Sequence, residues 1–215
     1  MMNRFVKKLL LSDECLLENC NWKKVIKRRC QMALVESKKI GLGLFLENLP
    51  LKTVEGEKVF LSDQRGQKGT VVIFTCNHCP YAQAIWDRMV SLENKVKKQG
   101  ISFIAINPNI HPDYPDDSPG KMKLLMEERG VSFPYYVDEE QTVAKYFLAE
   151  CTPDIYLFDG DDLLYYHGRF DDGRLEDEEV SSEDLNKAID TLLKGQGAPS
   201  IQHPSIGCSI KWKEN

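Results

Sequence analysis

Apolar positions along the chain change their spacing several times, and each change marks an element. Thr70-Val71-Val72-Ile73-Phe74 is a short, β-branched, all-apolar run, the pattern of a strand covered on both faces. It stops just before Cys76. From Pro80 to about residue 98 the period lengthens, with Ala84, Ile85, Met89, Leu92 and Val96 near one helical face and Gly100 as the stop. Residues 101–106 read as a second buried strand ending at Asn107-Pro108. Strand, helix and strand in that order predict a right-handed parallel crossover.

The remaining pattern extends this unit on both sides. Residues 43–51 and 58–61 flank Glu55-Gly56 and predict a β-hairpin that opens the domain. Ser118-Pro119 starts a helix closed by Gly130, with Met122 and Met126 at core spacing. Residues 133–137 predict a strand and 139–148 a helix. Residues 154–158 and 163–168 flank Asp159-Gly160-Asp161-Asp162 and read as an antiparallel hairpin. A last helix runs from Ser181/Ser182 to about residue 194, with Leu185, Ile189, Leu192 and Leu193 inward. The fold class is α/β, with a domain over residues 40–194. Residues 195–215 form a tail in which Ile206, Cys208, Ile210 and Trp212 alternate. That predicts an extended segment packed back on the domain, with Cys208 inward as a small buried hydrophobe. A sharper alternative makes Cys208 a third redox thiol. Residues 1–31 hold eight lysines and arginines against three acids and keep no sustained period, so they read as a basic, poorly ordered extension.

Composition narrows the functional classes. The 215 residues carry a net charge of −5, against the basic excess of a nucleic-acid binder. No apolar run approaches the roughly 18 residues that a membrane span needs. Seven cysteines are too few for a disulfide scaffold, and the first residues lack the apolar stretch of a secretory signal. The expected compartment is the cytoplasm, where thiols stay reduced.

Chemistry concentrates in Thr75-Cys76-Asn77-His78-Cys79-Pro80-Tyr81, between a buried strand and a helix. Two cysteines three apart can close a disulfide with little rearrangement. They are expected in the first helical turn, where Cys76 sits at the positive end of the helix dipole and meets unpaired N–H groups that favour a thiolate, with His78 as a neighbouring cation. Cys76 is then the accessible thiol and Cys79 the covered one. Half of a zinc site is the main competing reading, but His111, Cys151, His167, His203 and Cys208 are scattered singly. Strand, C-x-x-C and helix in a βαβ setting is the more specific redox arrangement.

The segments TCNHCPYA, YPDDSP, FPYYVDEEQTVAKYF, CTPDIYLFD, YYHGRFDD and PSIGCSIKW resemble the thioredoxin-like superfamily, in particular redoxins of the AhpC/TSA, peroxiredoxin-like type. The likeness covers residues from about 40 to 213. It implies a thioredoxin-like fold, a mixed sheet flanked by helices with the added hairpin, and thiol-based oxidoreductase or antioxidant activity at Cys76. It places Pro153, after Thr152, where that fold holds its cis-proline, in a loop that faces Cys76 and offers backbone to an extended substrate. The strand after Pro153 runs away from the active-site edge and its hairpin partner returns to it. Arg169 and Asp171, like Asn107 at the end of its own strand, are therefore expected beside the cysteines, Arg169 to stabilise a thiolate or Asp171 to move protons. Two departures stand out. Thr75 and Asn77-His78 replace thioredoxin's tryptophan and Gly-Pro, and the peroxiredoxin pattern P-x-x-x-T-x-x-C is missing. The expected activity is thiol–disulfide exchange with protein or small-molecule disulfides and an unidentified thiol reductant, without metal or organic cofactor. A thiol peroxidase acting on peroxides and a non-catalytic module that holds a partner strand beside Pro153 are the alternatives.

Overall fold

The computed structural model describes residues 34–175 and 178–213. The expectation for residues 1–31 lies outside them. Ten strands and five α-helices are described: β1 (Leu34–Glu36), β2 (Pro50–Lys52), β3 (Lys58–Phe60), β4 (Gly69–Phe74), α1 (Pro80–Gln83), α2 (Trp86–Val96), β5 (Ile101–Asn107), α3 (Pro119–Arg129), β6 (Tyr135–Val137), α4 (Thr142–Tyr146), β7 (Cys151–Thr152), β8 (Asp154–Asp159), β9 (Leu164–Gly168), α5 (Asp184–Leu193) and β10 (Ile206–Ser209).

The main sheet has seven strands in the order β3-β2-β6-β5-β4-β8-β9. β4 is central, parallel to β5 and antiparallel to β8. Every residue of β4 is buried, as its uninterrupted apolar run predicts. Its side chains alternate between two cores. Val71 and Ile73 join Trp86, Met89, Phe103 and Leu185 on one face, while Val72 and Phe74 join Phe147, Tyr156 and Phe158 on the other. Each such side chain contributes about 1.5–3 kcal/mol of burial. The fold is thioredoxin-like, with the β2–β3 hairpin added at one edge of the sheet.

Local boundaries shift for identifiable reasons. Residues 43–49 do not extend β2. Instead Leu46 N–H donates to the Asp162 carbonyl at 2.8 Å and Leu164 N–H to the Leu44 carbonyl at 2.8 Å, which holds this segment against the 159–164 turn. The helix expected over 80–98 is interrupted between α1 and α2, at Ala84 and Ile85. The last helix begins later than Ser182, because the Asp172 carboxylate takes the N–H groups of Ser181 and Ser182 at 2.8 and 2.9 Å. The helix expected over 139–148 shortens to α4, whose first turn is capped by Asp138 accepting from Ala144 N–H at 2.7 Å.

A second, three-stranded sheet has the order β1-β10-β7. It is built from the two ends of the described chain and from the two residues that precede Pro153. Cys208 and Ile210 of the tail are buried, whereas Trp212 is exposed.

Candidate active site

β4 delivers the chain to Thr75 and Cys76 at its carboxyl end, where parallel βα units open their crevices. Pro80 occupies the first helical position, so the N-cap of α1 is Cys79. Cys76 therefore sits three residues before the cap, not in the first turn, and the expected helix-terminus activation does not reach it. The expected difference in access is also missing: Cys76 and Cys79 are both 0% exposed.

The charge balance of the pair follows from its hydrogen bonds. The neutral Cys79 thiol can donate to the Thr152 carbonyl at 3.0 Å. As a thiolate, Cys79 is opposed by burial but accepts from the thiols of Cys208 and Cys76 and from Ala82 N–H. The donors hold it well below the ordinary thiol range. Burial pushes Cys76 well above that range, its bond to the Cys79 sulfur adds to the effect, and the Asp117 carboxylate adds more. The surroundings thus favour the thiolate at Cys79 and disfavour it at Cys76. Cys76 Sγ also lies 3.4 Å from Thr152 Oγ1, so Thr152 touches both sulfurs, and the Thr152–Pro153 peptide bond is cis.

The intervening Asn77-His78 is fastened by a residue that sequence reading did not single out. Asp117 is fully buried, accepts from Asn77 N–H at 2.6 Å and His78 N–H at 3.3 Å, and bonds His78 Nδ1. Asn77 Oδ1 accepts from the Tyr135 hydroxyl at 3.0 Å, and the His78 ring stacks on Tyr114 with centroids 4.6 Å apart. Asn107, at the end of β5, donates to the Asp117 carbonyl at 3.4 Å. The one signal for Asp117 was its place in the YPDDSP segment. Cys76, His78 and Asp117 bring possible metal-ligand atoms within 4.8 Å of one another. The Asp117 oxygens are already used by the loop, and a structural zinc site needs four ligands.

Arg169 and Asp171 reach the same edge but face elsewhere. Arg169 Nε bonds the Asp184 carboxylate of α5. Asp171 Oδ2 pairs with Arg88 Nε of α2 at 2.7 Å, and burial raises its pKa despite that partner. Neither has a hydrogen bond to Cys76 or Cys79 among the described residues. Both line a cavity of about 240 Å³ with Tyr81, Pro153, Phe170 and His203. The backbone expected to be open beside Pro153 is occupied. β10 pairs antiparallel with β7, with Cys208 opposite Thr152 and Ser209 opposite Cys151. The strand-holding module therefore finds that edge filled by the chain's own tail.

Among the described residues no helix is long and apolar enough to cross a membrane. The structure is similar to that of an uncharacterized conserved protein from Geobacillus kaustophilus, 44% identical, over 86% of this chain and 98% of that one, with a TM-score of 0.81. It is also similar to a hypothetical protein from Sinorhizobium meliloti, 34% identical, over 84% and 99% of the two chains, with a TM-score of 0.79. The thioredoxin domain of a thiol-disulfide oxidoreductase from Bacteroides vulgatus shares the fold at 16% identity and a TM-score of 0.55, over 72% of this chain and 99% of that one. No curated protein matches the chain. The AhpC/TSA family profile matches residues 43–167, from the hairpin through the cysteine pair and the cis-proline to β9, and the chain belongs to that thioredoxin-like redoxin family.

Proposed function

We propose that the protein is a thiol–disulfide oxidoreductase whose redox pair is Cys76 and Cys79. The observation that carries this reading is the packing of the two sulfurs in one buried cluster, both of them on Thr152, the residue before the cis-proline. A thiolate is the species that attacks a disulfide. Proton transfer from the Cys76 thiol to the Cys79 thiolate makes Cys76, just past the end of β4, the attacking sulfur. Cys76 then attacks one sulfur of the substrate disulfide and releases the other as a thiol. Cys79 attacks the mixed disulfide, leaving Cys76–Cys79 oxidised and the substrate fully reduced. An external thiol reductant returns the pair to its starting state. Because both sulfurs are buried, the covering Tyr81 or β10 must move aside for substrate to enter.

The test is stopped-flow oxidation of the reduced full-length protein by a protein disulfide and, separately, by hydrogen peroxide, with thiol counting at residues 76 and 79. The expected result is loss of both thiols, faster with the disulfide. Oxidation by peroxide faster by orders of magnitude would replace this reading with a thiol peroxidase, in which Cys76 becomes a sulfenic acid and Cys79 condenses with it. Thiols at 76 and 79 that never change would leave a binding protein.

A further inference from the structure

Among the described residues four cysteines are buried free thiols, Cys76, Cys79, Cys151 and Cys208. The exchange proposed above uses two of them. Cys208 belongs to β10, more than a hundred residues beyond the pair, yet it packs in one cluster with Cys76, Cys79 and Ala82. The register explains why. β10 lies along β7 with Cys208 opposite Thr152, the residue whose carbonyl and hydroxyl face the two site sulfurs. The approach is close: a Cβ on Gly207 would stand 2.1 Å from the Thr152 carbonyl oxygen. The Cys208 side chain thus packs against the redox pair, and Thr152 is the residue that both the pair and β10 contact. Cys79 is packed with both Cys76 and Cys208 in that cluster. Cys151 differs, since its thiol is directed to the Pro153 carbonyl at 3.6 Å.

We propose that Cys208 is a third redox thiol of this site, and that the disulfide formed between Cys76 and Cys79 passes to Cys79 and Cys208. The inference rests on the reading of Cys76 and Cys79 as the redox pair. In the transfer the Cys208 sulfur, as thiolate, attacks Cys79 Sγ. The Cys79–Cys208 bond forms as the Cys76–Cys79 bond breaks, and Cys76 leaves as a thiolate that takes up the proton Cys208 released. No electrons enter or leave, so no further oxidant is needed. In the reduced protein Cys208 keeps its proton chiefly because it donates to Cys79, with burial adding to the effect. That cause disappears once Cys79 is in a disulfide. The oxidised form awaiting the external reductant is then Cys79–Cys208, tying α1 to the C-terminal strand and leaving Cys76 as a free thiol.

Non-reducing tryptic mapping after oxidation of the full chain with diamide decides the matter, because residues 69–88 carry Cys76 and Cys79 while residues 195–211 carry Cys208. Wild type is expected to yield the two peptides cross-linked with Cys76 open to alkylation, and Cys76→Ser the same cross-link. Cys208→Ala should yield only the closed loop within 69–88. Thermal melts establish that each variant is folded. A folded Cys76→Ser protein with no link between Cys79 and Cys208 overturns the inference, as does a wild type that remains wholly Cys76–Cys79 with Cys208 unlinked. Either result leaves the redox pair standing if Cys208→Ala still closes its loop. Failure of that loop in Cys208→Ala overturns the pair itself, and the transfer with it.

Discussion

At the scale of single residues, the sulfur that holds the charge is set by neighbours from four parts of the chain. The reduced protein should show one thiolate absorbance near neutral pH, at about 240 nm. Cys79→Ser should remove it and Cys76→Ser should keep it. The opposite pattern would assign the charge to Cys76. In Cys79→Ser the remaining Cys76 titrates alone, held up by burial and by the Asp117 carboxylate. Adding Asp117→Asn removes that negative charge while keeping an oxygen for Asn77 N–H. The pH profile of Cys76 alkylation by iodoacetamide should therefore move to lower pH, and an unmoved profile would separate Asp117 from the pair. Asp117→Ala leaves the buried Asn77 N–H unsatisfied and should cost about 1–3 kcal/mol of stability. The two cysteines were legible because their spacing is itself the chemical signal. Asp117 was not, since a carboxylate 40 positions from Asn77 in an acidic loop resembles any solvated acid. Arg169 and Asp171 were placed at the correct edge, but their partners Asp184 and Arg88 lie on helices whose facing surfaces no local pattern specifies.

At the scale of elements, the buried central strands were legible because an all-apolar β-branched run has few other uses in a chain of this composition. The break between α1 and α2 was not, because Ala84 and Ile85 continue the helical period in sequence. Alternation in the tail indicated an extended, inward-facing segment around Cys208. Its pairing partner could not be read, since strand pairing depends on surfaces distant in sequence. That partner decides what the site presents: β10 pairs with β7 and covers the edge beside Pro153. Gly207 permits this contact, and Gly207→Ala would drive a methyl into the Thr152 carbonyl at 2.1 Å. The substitution should loosen β10 without unfolding the main sheet. Alkylation of Cys208 in the native protein should then rise roughly tenfold or more, equivalent to about 1.4 kcal/mol of lost docking free energy. A Cys208 as unreactive as in wild type would mean that the strand adapts and is not held by this approach.

At the scale of the whole molecule, the site is closed by both ends of the described chain. β10 lies between β7 on one side and β1 on the other, with Leu34 opposite Cys208 and Glu36 opposite Ile206. Ser37 N–H donates to the Ser205 carbonyl at 2.9 Å, and Ser205 N–H to Ser37 Oγ at 3.0 Å, fixing where the two segments meet. Strand β1 therefore holds the strand that carries Cys208. A chain beginning at Met32 keeps β1, and lacks only residues whose sequence shows no core periodicity. Its melting temperature should stay within a few degrees of the full-length value. A chain beginning at Ile40 loses β1 and the Ser37 bonds, leaving the outer edge of β10 unpaired. For a domain of this size each kcal/mol lost lowers the melting temperature by about 2–4 °C, so the second truncation should fall measurably below the first. Cys208 should also become the faster-alkylated thiol, because loosening β10 exposes it before the main sheet yields. If the two truncations melt together and Cys208 remains protected in both, β10 is held by β7 alone, and the closure of the site depends on the Thr152 contact rather than on the three-stranded sheet.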